Sequence, residues 1–149
     1  MDACLACDLT EGRLEPPGGC IFENERLRVE HCLGPLGLGT LVVKPRRHVL
    51  HVADLTEDEA SGIGPVLRRA AAVVTELLHP DQVYVCLWSH TGREPVHIHW
   101  VVQPVTRAQV DEIGAHGPGF QAALFARGEP PDDSAAAAFS RSARELWPR

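Results

Sequence analysis

One long helical segment divides this chain into two groups of strand-like runs. Residues 56–59 are Thr-Glu-Asp-Glu, which matches a capping box with Thr56 as the N-cap and Glu59 three residues later. Apolar residues then recur at helical spacing as far as Leu78. We therefore predict a helix from this capping box to Leu78, with a kink or a broken start at the glycines and proline of residues 62–65.

Strand-like runs of β-branched or alternating residues lie on both sides of this helix. Three precede it, at residues 20–23, 27–32 and 40–45, and two follow it, at residues 82–88 and 96–102. The order β-β-β-α-β-β-α, with short links between strands, predicts an α+β fold. We expect an antiparallel sheet of about five strands with helices packed on one face.

The segments between and after these runs are less regular. We predict a loop over residues 89–95 and a C-terminal helix from near Asp133 or Ser134 to Trp147. Residues 115–131 are rich in Gly and Pro and fit either a loop or a short helix.

Composition and charge bound the function. With 149 residues, 44% of them apolar, the chain has the size of one domain spanning residues 1–149. A formal net charge of −6 argues against a general nucleic-acid binder, which needs a basic footprint. The start of the chain lacks the features of a signal peptide, and no run is apolar enough for a membrane helix. We therefore expect a cytoplasmic protein that binds neither nucleic acid nor membrane.

The five cysteines are an odd number, which excludes a fully paired disulfide framework within one chain. Cys4 and Cys7 form a Cys-x-x-Cys motif, which fits chance, a redox pair or half of a zinc site. The redox interpretation lacks the βαβ unit that surrounds thioredoxin-like sites, whereas His48 and His97 could complete four zinc ligands. Three cysteines are interpreted as small buried residues: Cys20, Cys32 and Cys86.

Two histidines lie two residues apart in the last predicted strand. His97 and His99 should therefore point to the same face of the sheet, with Ile98 and Trp100 on the other. Such a pair fits two partly buried structural histidines, metal ligation, nucleophilic catalysis, or one ligand beside one nucleophile.

Three motifs in this order resemble those of the histidine-triad (HIT) superfamily. Residues 39–48, Gly-Thr-Leu-Val-Val-Lys-Pro-Arg-Arg-His, resemble the family segment GHxLVxPKRH, and residues 92–104 resemble GQxVxHxHxHxxP. The opening Cys4-x-x-Cys7 resembles the zinc-binding bacterial branch. The resemblance covers about residues 4–104, leaving residues 105–149 as a C-terminal helical extension. It implies a HIT-like antiparallel sheet of about five strands with a central helix and a C-terminal helix.

The resemblance also implies roles for the two histidines. Aligning Gly92 and Pro104 with the family pattern makes His97 the first triad position, His99 the second and Val101 the third. The zinc branch then implies a structural Zn²⁺ with four ligands: Cys4, Cys7, His48 and His97. His51 is an alternative ligand if His48 faces away.

His99 takes the position of the family's nucleophile. The resemblance implies attack by this imidazole on the α-phosphorus of a nucleotide, giving a nucleotidyl-histidine that water or another acceptor resolves. We expect a backbone carbonyl to accept the Nδ1–H of His99, which would leave Nε2 free to attack. The expected activity is that of a nucleotide hydrolase or nucleotidyltransferase, and HIT proteins are commonly homodimers.

The chain departs from the family pattern around this nucleophile. Val101 can neither donate nor accept a hydrogen bond, so the alternative is a HIT-fold nucleotide-binding protein with little or no catalysis. A third hypothesis is a small zinc protein that binds another protein. His90 could replace the missing donor, although we interpret His31 and His90 as solvent-facing. The resemblance implies substrate contacts at Gly92, Arg93, Thr40 and Cys32, and we add His90 as a candidate contact because it lies in the predicted loop before the last strand.

Overall fold

Five strands form one antiparallel sheet in the order β1-β2-β3-β5-β4. Their bounds are β1 Phe22–Glu23, β2 Leu27–His31, β3 Leu41–Pro45, β4 Gln82–Thr91 and β5 Glu94–Val105. This computed structural model describes residues 4–148. Residues 1–3, on which the expected absence of a signal peptide partly rests, and residue 149 lie outside the described part. The predicted five-stranded α+β fold is confirmed.

Within residues 4–148, five α-helices and a short 3-10 turn connect and cover the strands. They are α1 Leu5–Thr10, the 3-10 turn Val52–Asp54, α2 Glu57–Leu78, α3 Arg107–Ile113, α4 Gly117–Arg127 and α5 Asp133–Leu146. None of the described helices is both long and apolar enough to cross a membrane. The sequence predicted α2 and α5, left α4 open as a loop or a short helix, and did not predict α1 or α3.

The capping box of α2 is formed as predicted. The Thr56 hydroxyl accepts from the Glu59 N–H at 3.2 Å, and the Glu59 carboxylate accepts from the Thr56 N–H at 2.9 Å. The helix continues through Pro65 to Leu78 without a break. The expected broken start is therefore absent, and buried Ile63 and Val66 pack this segment against the core.

One face of the sheet packs against α2 and α5. Alternate residues of β2, β3 and β5 enter this core, and Trp147 stacks on Phe22 with ring centroids 4.9 Å apart. The sheet residues of this core include Leu27, Val29, Leu41, Val43 and Val102. Because side chains alternate along a strand, the intervening residues point to the opposite face.

The opposite face is covered in part by α1 and α4, so the prediction of helices on one face only is wrong. Tyr84 on β4 accepts from the Gly117 N–H at the start of α4 at 3.2 Å, and its ring meets Phe120 edge-on. Gln103 on β5 accepts from the Gln121 side-chain amide at 3.0 Å. These polar and aromatic contacts hold α4 against the second face of the sheet, and the hydrophobic pattern of the sequence does not indicate them.

The predicted loop over residues 89–95 is instead the tip of a hairpin. Strand β4 extends to Thr91 and β5 begins at Glu94, with an irregularity in pairing between Trp88 and His90. Only two residues join the strands, and Gly92 has φ +61°, which suits glycine in a tight hairpin turn. The side chains of this tip are mostly polar and exposed, so the sequence lacks the hydrophobic alternation that predicts a strand.

Gly39 is required where the β2–β3 connection meets the end of α2. It has φ +82°, and an added Cβ would lie 2.3 Å from Leu78 Cδ1. A side chain here would therefore strain the backbone and clash with α2.

Candidate functional site

Two cysteines and two histidines converge at the start of α1. The ligand atoms of Cys4, Cys7, His48 and His97 all lie within 4.8 Å of one another. The Cys7 thiol lies 3.2 Å from His48 Nδ1 and 3.6 Å from His97 Nδ1, and the Cys4 thiol lies 3.9 Å from His97 Nδ1. These are the four residues that the resemblance implies, whereas exposed His51 is not part of the cluster.

The donor set and its spacing fit a tetrahedral zinc ion. Zn–S and Zn–N bonds of about 2.3 and 2.0–2.1 Å place sulfur and nitrogen ligands roughly 3.5 Å apart, close to the distances found here. The Nε2–H of His97 donates to the Pro45 carbonyl at 2.9 Å, which directs its Nδ1 to the cluster. Burial lowers the pKa of His97 to about 4, so the ring is neutral at pH 7, as a ligand must be.

His99 lies beside this cluster on the same face of β5. Its Nδ1–H donates to the His97 carbonyl at 3.1 Å, which is the backbone hydrogen bond expected from the sequence. Nε2 therefore keeps its lone pair. Burial lowers the pKa of His99 despite that hydrogen bond, so the ring is neutral near pH 7 and suited to act as a nucleophile or base.

A cavity of about 660 Å³ lies over His99, between α1, α4 and the sheet. This volume is within the range of small-molecule sites. Its wall is largely apolar and includes Leu5, Leu9, Val42, Val101, Trp88 and Phe125. Three of the four clustered side chains, Cys4, His48 and His97, line the same wall. An ion bound to this metal cluster, as we call the four residues, would fix α1 as one side of the cavity.

A buried ion-pair network lies in this wall, and the sequence analysis did not identify it. The Lys44 ammonium donates to Glu30, and Arg28 Nε donates to the other Glu30 oxygen at 2.9 Å. The Lys44 and Glu30 side chains are 1% and 2% exposed. Burial lowers the pKa of Lys44, while Glu30 raises it.

The position of Lys44 places its charge next to His99. Val43 pairs with Trp100, so the next position in that register puts Lys44 opposite His99 on the same face. Lys44 is the sole lysine among fourteen basic residues. The composition could have drawn attention to Lys44, because every other basic residue apart from histidine is arginine.

Three of the five expected substrate contacts line the cavity: Cys32, His90 and Gly92. Two do not. Thr40 is fully buried and donates its hydroxyl to the Leu36 carbonyl at 2.9 Å, and exposed Arg93 is outside the cavity wall.

The remaining histidines and cysteines differ in burial. His31 is buried, not solvent-facing, because it accepts from the Gly39 N–H at 2.9 Å and donates to the Cys32 carbonyl. His90 is exposed as predicted, although it lies on β4 and not in a loop. Cys20, Cys32 and Cys86 are only partly buried by whole-residue exposure, and burial of its thiol raises the pKa of Cys32 to about 11.

Comparison with solved structures decides the fold. No family model and no curated protein matches the sequence. A hypothetical histidine triad nucleotide-binding protein from Sulfolobus tokodaii superposes with a TM-score of 0.72 at 16% identity, covering 96% of this chain and 91% of its own. The chain has the histidine-triad fold.

Two other histidine-triad structures match over nearly their whole length. A Zn-bound histidine triad family protein from Mycobacterium smegmatis has a TM-score of 0.68 at 20% identity, over 96% of this chain and 94% of that one. A Hit-like protein involved in cell-cycle regulation from Bartonella henselae has a TM-score of 0.75 at 11% identity, over 99% and 98%. The histidine-triad fold thus extends through the helices after β5, beyond residues 4–104.

Proposed function

We propose that this protein is a nucleotide hydrolase or nucleotidyltransferase that acts through a nucleotidyl-histidine at His99. The observation that carries the proposal is the hydrogen bond from His99 Nδ1–H to the His97 carbonyl. It orients the ring and leaves Nε2 free beside a cavity of ligand size. The substrate class is a phosphoester, phosphoanhydride or phosphoramidate of a nucleotide.

The reaction has two displacement steps at phosphorus. The Nε2 lone pair of His99 forms an N–P bond to the α-phosphorus while the bond from phosphorus to the leaving group breaks. The leaving group keeps that electron pair and takes a proton from solvent, because Val101 has none to give. Water or another hydroxyl then attacks phosphorus, the N–P electron pair returns to Nε2, and the attacking oxygen loses its proton to solvent.

Lys44 supports an anionic ligand at this position. Its ammonium is in the cavity wall and is the cross-strand neighbour of His99. A fixed positive charge in a largely apolar site stabilises negative charge that develops on phosphate oxygens more strongly than it would in water. Arg28 is shared between Glu30 and Glu23, so the network of four side chains is neutral overall, and Lys44 is its cationic member in the cavity wall.

We assign the four-residue cluster to a structural zinc ion. Cys4, Cys7, His48 and His97 would hold it, and with four protein ligands the ion has no open position for substrate. Its contribution there is to tie α1 to the sheet. The Zn-bound neighbour from Mycobacterium smegmatis is consistent with this assignment.

We also propose a cytoplasmic homodimer. The edge strand β4 is ten residues long, and its Val85 and Leu87 are 45% and 40% exposed. An exposed apolar edge strand is a surface on which a second copy can pair. Sedimentation of the purified protein measures this directly, and a monomer at micromolar concentration would contradict it.

A nucleotide-binding protein without turnover is the second candidate function. The observation that favours it is the third triad position, where Val101 is 1% exposed and presents only hydrocarbon to the cavity. Binding and turnover separate the two candidates.

The test measures both quantities on the same preparations. We expect wild type to bind adenosine or guanosine monophosphate and to turn over an α-substituted nucleotide, and His99→Ala to lose turnover. The control is His116→Ala, an exposed histidine outside the cavity wall, which should keep wild-type turnover. Binding without turnover in wild type favours the second candidate, and unchanged turnover in His99→Ala rules out the proposed role of His99.

A further inference from the structure

Two aromatic rings form a corner of the cavity that the proposed chemistry does not use. Phe125 on α4 lines the cavity and is 53% exposed. Its ring centroid is 5.6 Å from that of Trp88 on β4, with an interplanar angle of 39°. A Cβ at Gly34 would be 4.0 Å from the Phe125 ring. We call Trp88 and Phe125 the aromatic corner.

A chain of buried amides holds this corner in place. Trp88 Nε1–H donates to the side-chain oxygen Oε1 of Gln121 at 3.2 Å. The side-chain Nε2 of Gln121 donates to Oε1 of Gln103 at 3.0 Å. The Gln103 amide in turn donates to the Leu36 carbonyl at 2.8 Å. Because Gln103 and Gln121 are buried, breaking this chain would leave polar groups unsatisfied. The exposed ring of Phe125 is therefore presented by a fixed helix.

The aromatic corner adjoins the proposed nucleophile. Trp88 is the direct cross-strand partner of His99, so both side chains lie on the same face of the sheet. The cavity residues near Phe125 are mainly apolar, with Leu33, Gly34 and Val101 in the same wall. Within residues 4–148, the carboxylate and the ammonium of this wall belong to Glu30 on β2 and Lys44 on β3. Neither lies on β4 or α4, the elements that form the aromatic corner. The corner thus suits an uncharged flat group.

We propose that the aromatic corner binds a planar aromatic ring of the ligand, joined covalently to the phosphate at His99, by stacking on Phe125. The proposal rests on the proposed function and extends it to the class of substrate. Stacking of a base on an aromatic side chain contributes measurably to binding affinity. It accepts different ring systems, because each has a π-face. The ring belongs either to the nucleobase or to an aromatic leaving group.

Two matched ligand pairs distinguish these sources. Adenosine monophosphate and ribose 5-phosphate differ by the nucleobase, whereas the phenyl and methyl esters of adenosine monophosphate differ by a ring on the leaving group. Dissociation constants are measured for both pairs, with the two esters bound to His99→Ala, so that the better leaving ability of phenoxide than methoxide does not enter the ratio. With Phe125 in place we expect the ring-bearing member of one pair to be favoured by roughly 5- to 150-fold, as expected for one base–aromatic stack.

The variants are Phe125→Leu, which keeps an apolar side chain, and Phe125→Tyr, which keeps a ring. We expect Phe125→Leu to remove most of the preference in that pair and Phe125→Tyr to retain it, with ringless ligands unaffected. The control is Leu14→Ala, an exposed leucine outside the cavity wall, which should preserve both ratios. Loss of the nucleobase ratio assigns the corner to the base, and loss of the ester ratio assigns it to the leaving group.

The outcomes separate this inference from the proposed function. If Phe125→Leu changes neither ratio, or weakens both members of a pair equally, the aromatic corner does not bind a ring, while His99-dependent turnover still supports the proposed function. If wild type binds and turns over none of the four ligands, the proposed function and this inference both fail.

Discussion

His97 and His99 lie on the same face of β5, yet their hydrogen bonds leave opposite ring nitrogens free. The Pro45 carbonyl takes the Nε2–H of His97, and the His97 carbonyl takes the Nδ1–H of His99. One ring is thereby directed to the metal cluster through Nδ1, and the other presents Nε2 to the cavity. Two backbone carbonyls thus give these neighbouring rings the orientations that the proposed metal ligand and the proposed nucleophile need.

Lys44 is expected to contribute to the stability of the fold as well as to the binding of an anionic ligand. Lys44→Met removes one partner of a buried ion pair and leaves Glu30 with Arg28 alone. We expect the free energy of unfolding to fall by about 3 kcal/mol. The double variant Lys44→Met/Glu30→Gln should recover part of this loss, because the buried carboxylate is then uncharged and Arg28 keeps Glu23 as its partner at 3.0 Å. Urea unfolding measures both.

The matched control for Lys44 is an exposed ion pair. Arg26 and Asp58 are 46% and 70% exposed, so Arg26→Met should change stability little. If Lys44→Met were as stable as wild type, or if the double variant were no better than the single one, the ion pair would not contribute as described.

At the scale of elements, the start of α2 is joined to the segment that carries His48. Arg47 donates to both carboxylate oxygens of Glu59, at 3.1 and 2.8 Å, while Glu59 also completes the capping box. The Arg47 guanidinium lowers the pKa of Glu59, against an opposing effect of burial. The helix cap and the loop before α2 are therefore stabilised by the same carboxylate.

The contribution of Glu59 to the free energy of unfolding should depend on pH. Because its pKa is lower in the folded state than in the unfolded state, where it is about 4.3, the stabilisation is complete above that value. It is lost as pH falls through the folded pKa. We expect Glu59→Gln to destabilise the protein by about 1 kcal/mol at pH 7 and by less at pH 3.

Urea unfolding at the two pH values tests this dependence, with Glu76→Gln as the control. Glu76 is an exposed glutamate of the same helix and should show no comparable difference. A Glu59→Gln effect of equal size at pH 3 and pH 7 would mean that its charge does not stabilise the cap.

The elements that sequence reasoning recovered are those with local signals. The capping box at Thr56 predicted the start of α2, because both of its hydrogen bonds lie within one turn. By contrast, α4 was undecided, because its position depends on Gln103 and Tyr84 from distant strands. Phe125 was missed for the same reason. Lys44 was missed because its burial depends on Glu30, which lies fourteen residues away on another strand.

At the scale of the whole molecule, the metal cluster connects three distant parts of the chain. Cys4 and Cys7 lie at the start of α1, His48 follows β3 and His97 lies on β5. An isolated helix of six residues is too short to be stable in water, so α1 needs tertiary contacts, which buried Leu9 and this cluster supply. Since α1 forms one wall of the cavity, metal binding and ligand binding should be linked.

Metal analysis and thermal melting test this linkage. We expect about one zinc per chain, and a Tm lowered by roughly 5–15 °C after chelation, because the ion binds the folded state alone. Cys4→Ser and His97→Ala should lose the metal, whereas His99→Ala should retain it. The control Cys86→Ser, on β4 and outside the cluster, should also retain it. Protein that carries no zinc, with Cys4 and Cys7 freely alkylated, would contradict the assignment.

The central claim is that His99 forms a covalent bond to phosphorus, and trapping that bond tests it most directly. Wild type is mixed with an α-substituted nucleotide, quenched within the first turnover at alkaline pH to preserve the N–P bond, and digested for mass spectrometry. We predict a nucleotidyl adduct on the peptide that contains His99, absent from His99→Ala and present in His116→Ala. Turnover without any adduct on His99, or an adduct on another residue, would contradict the account.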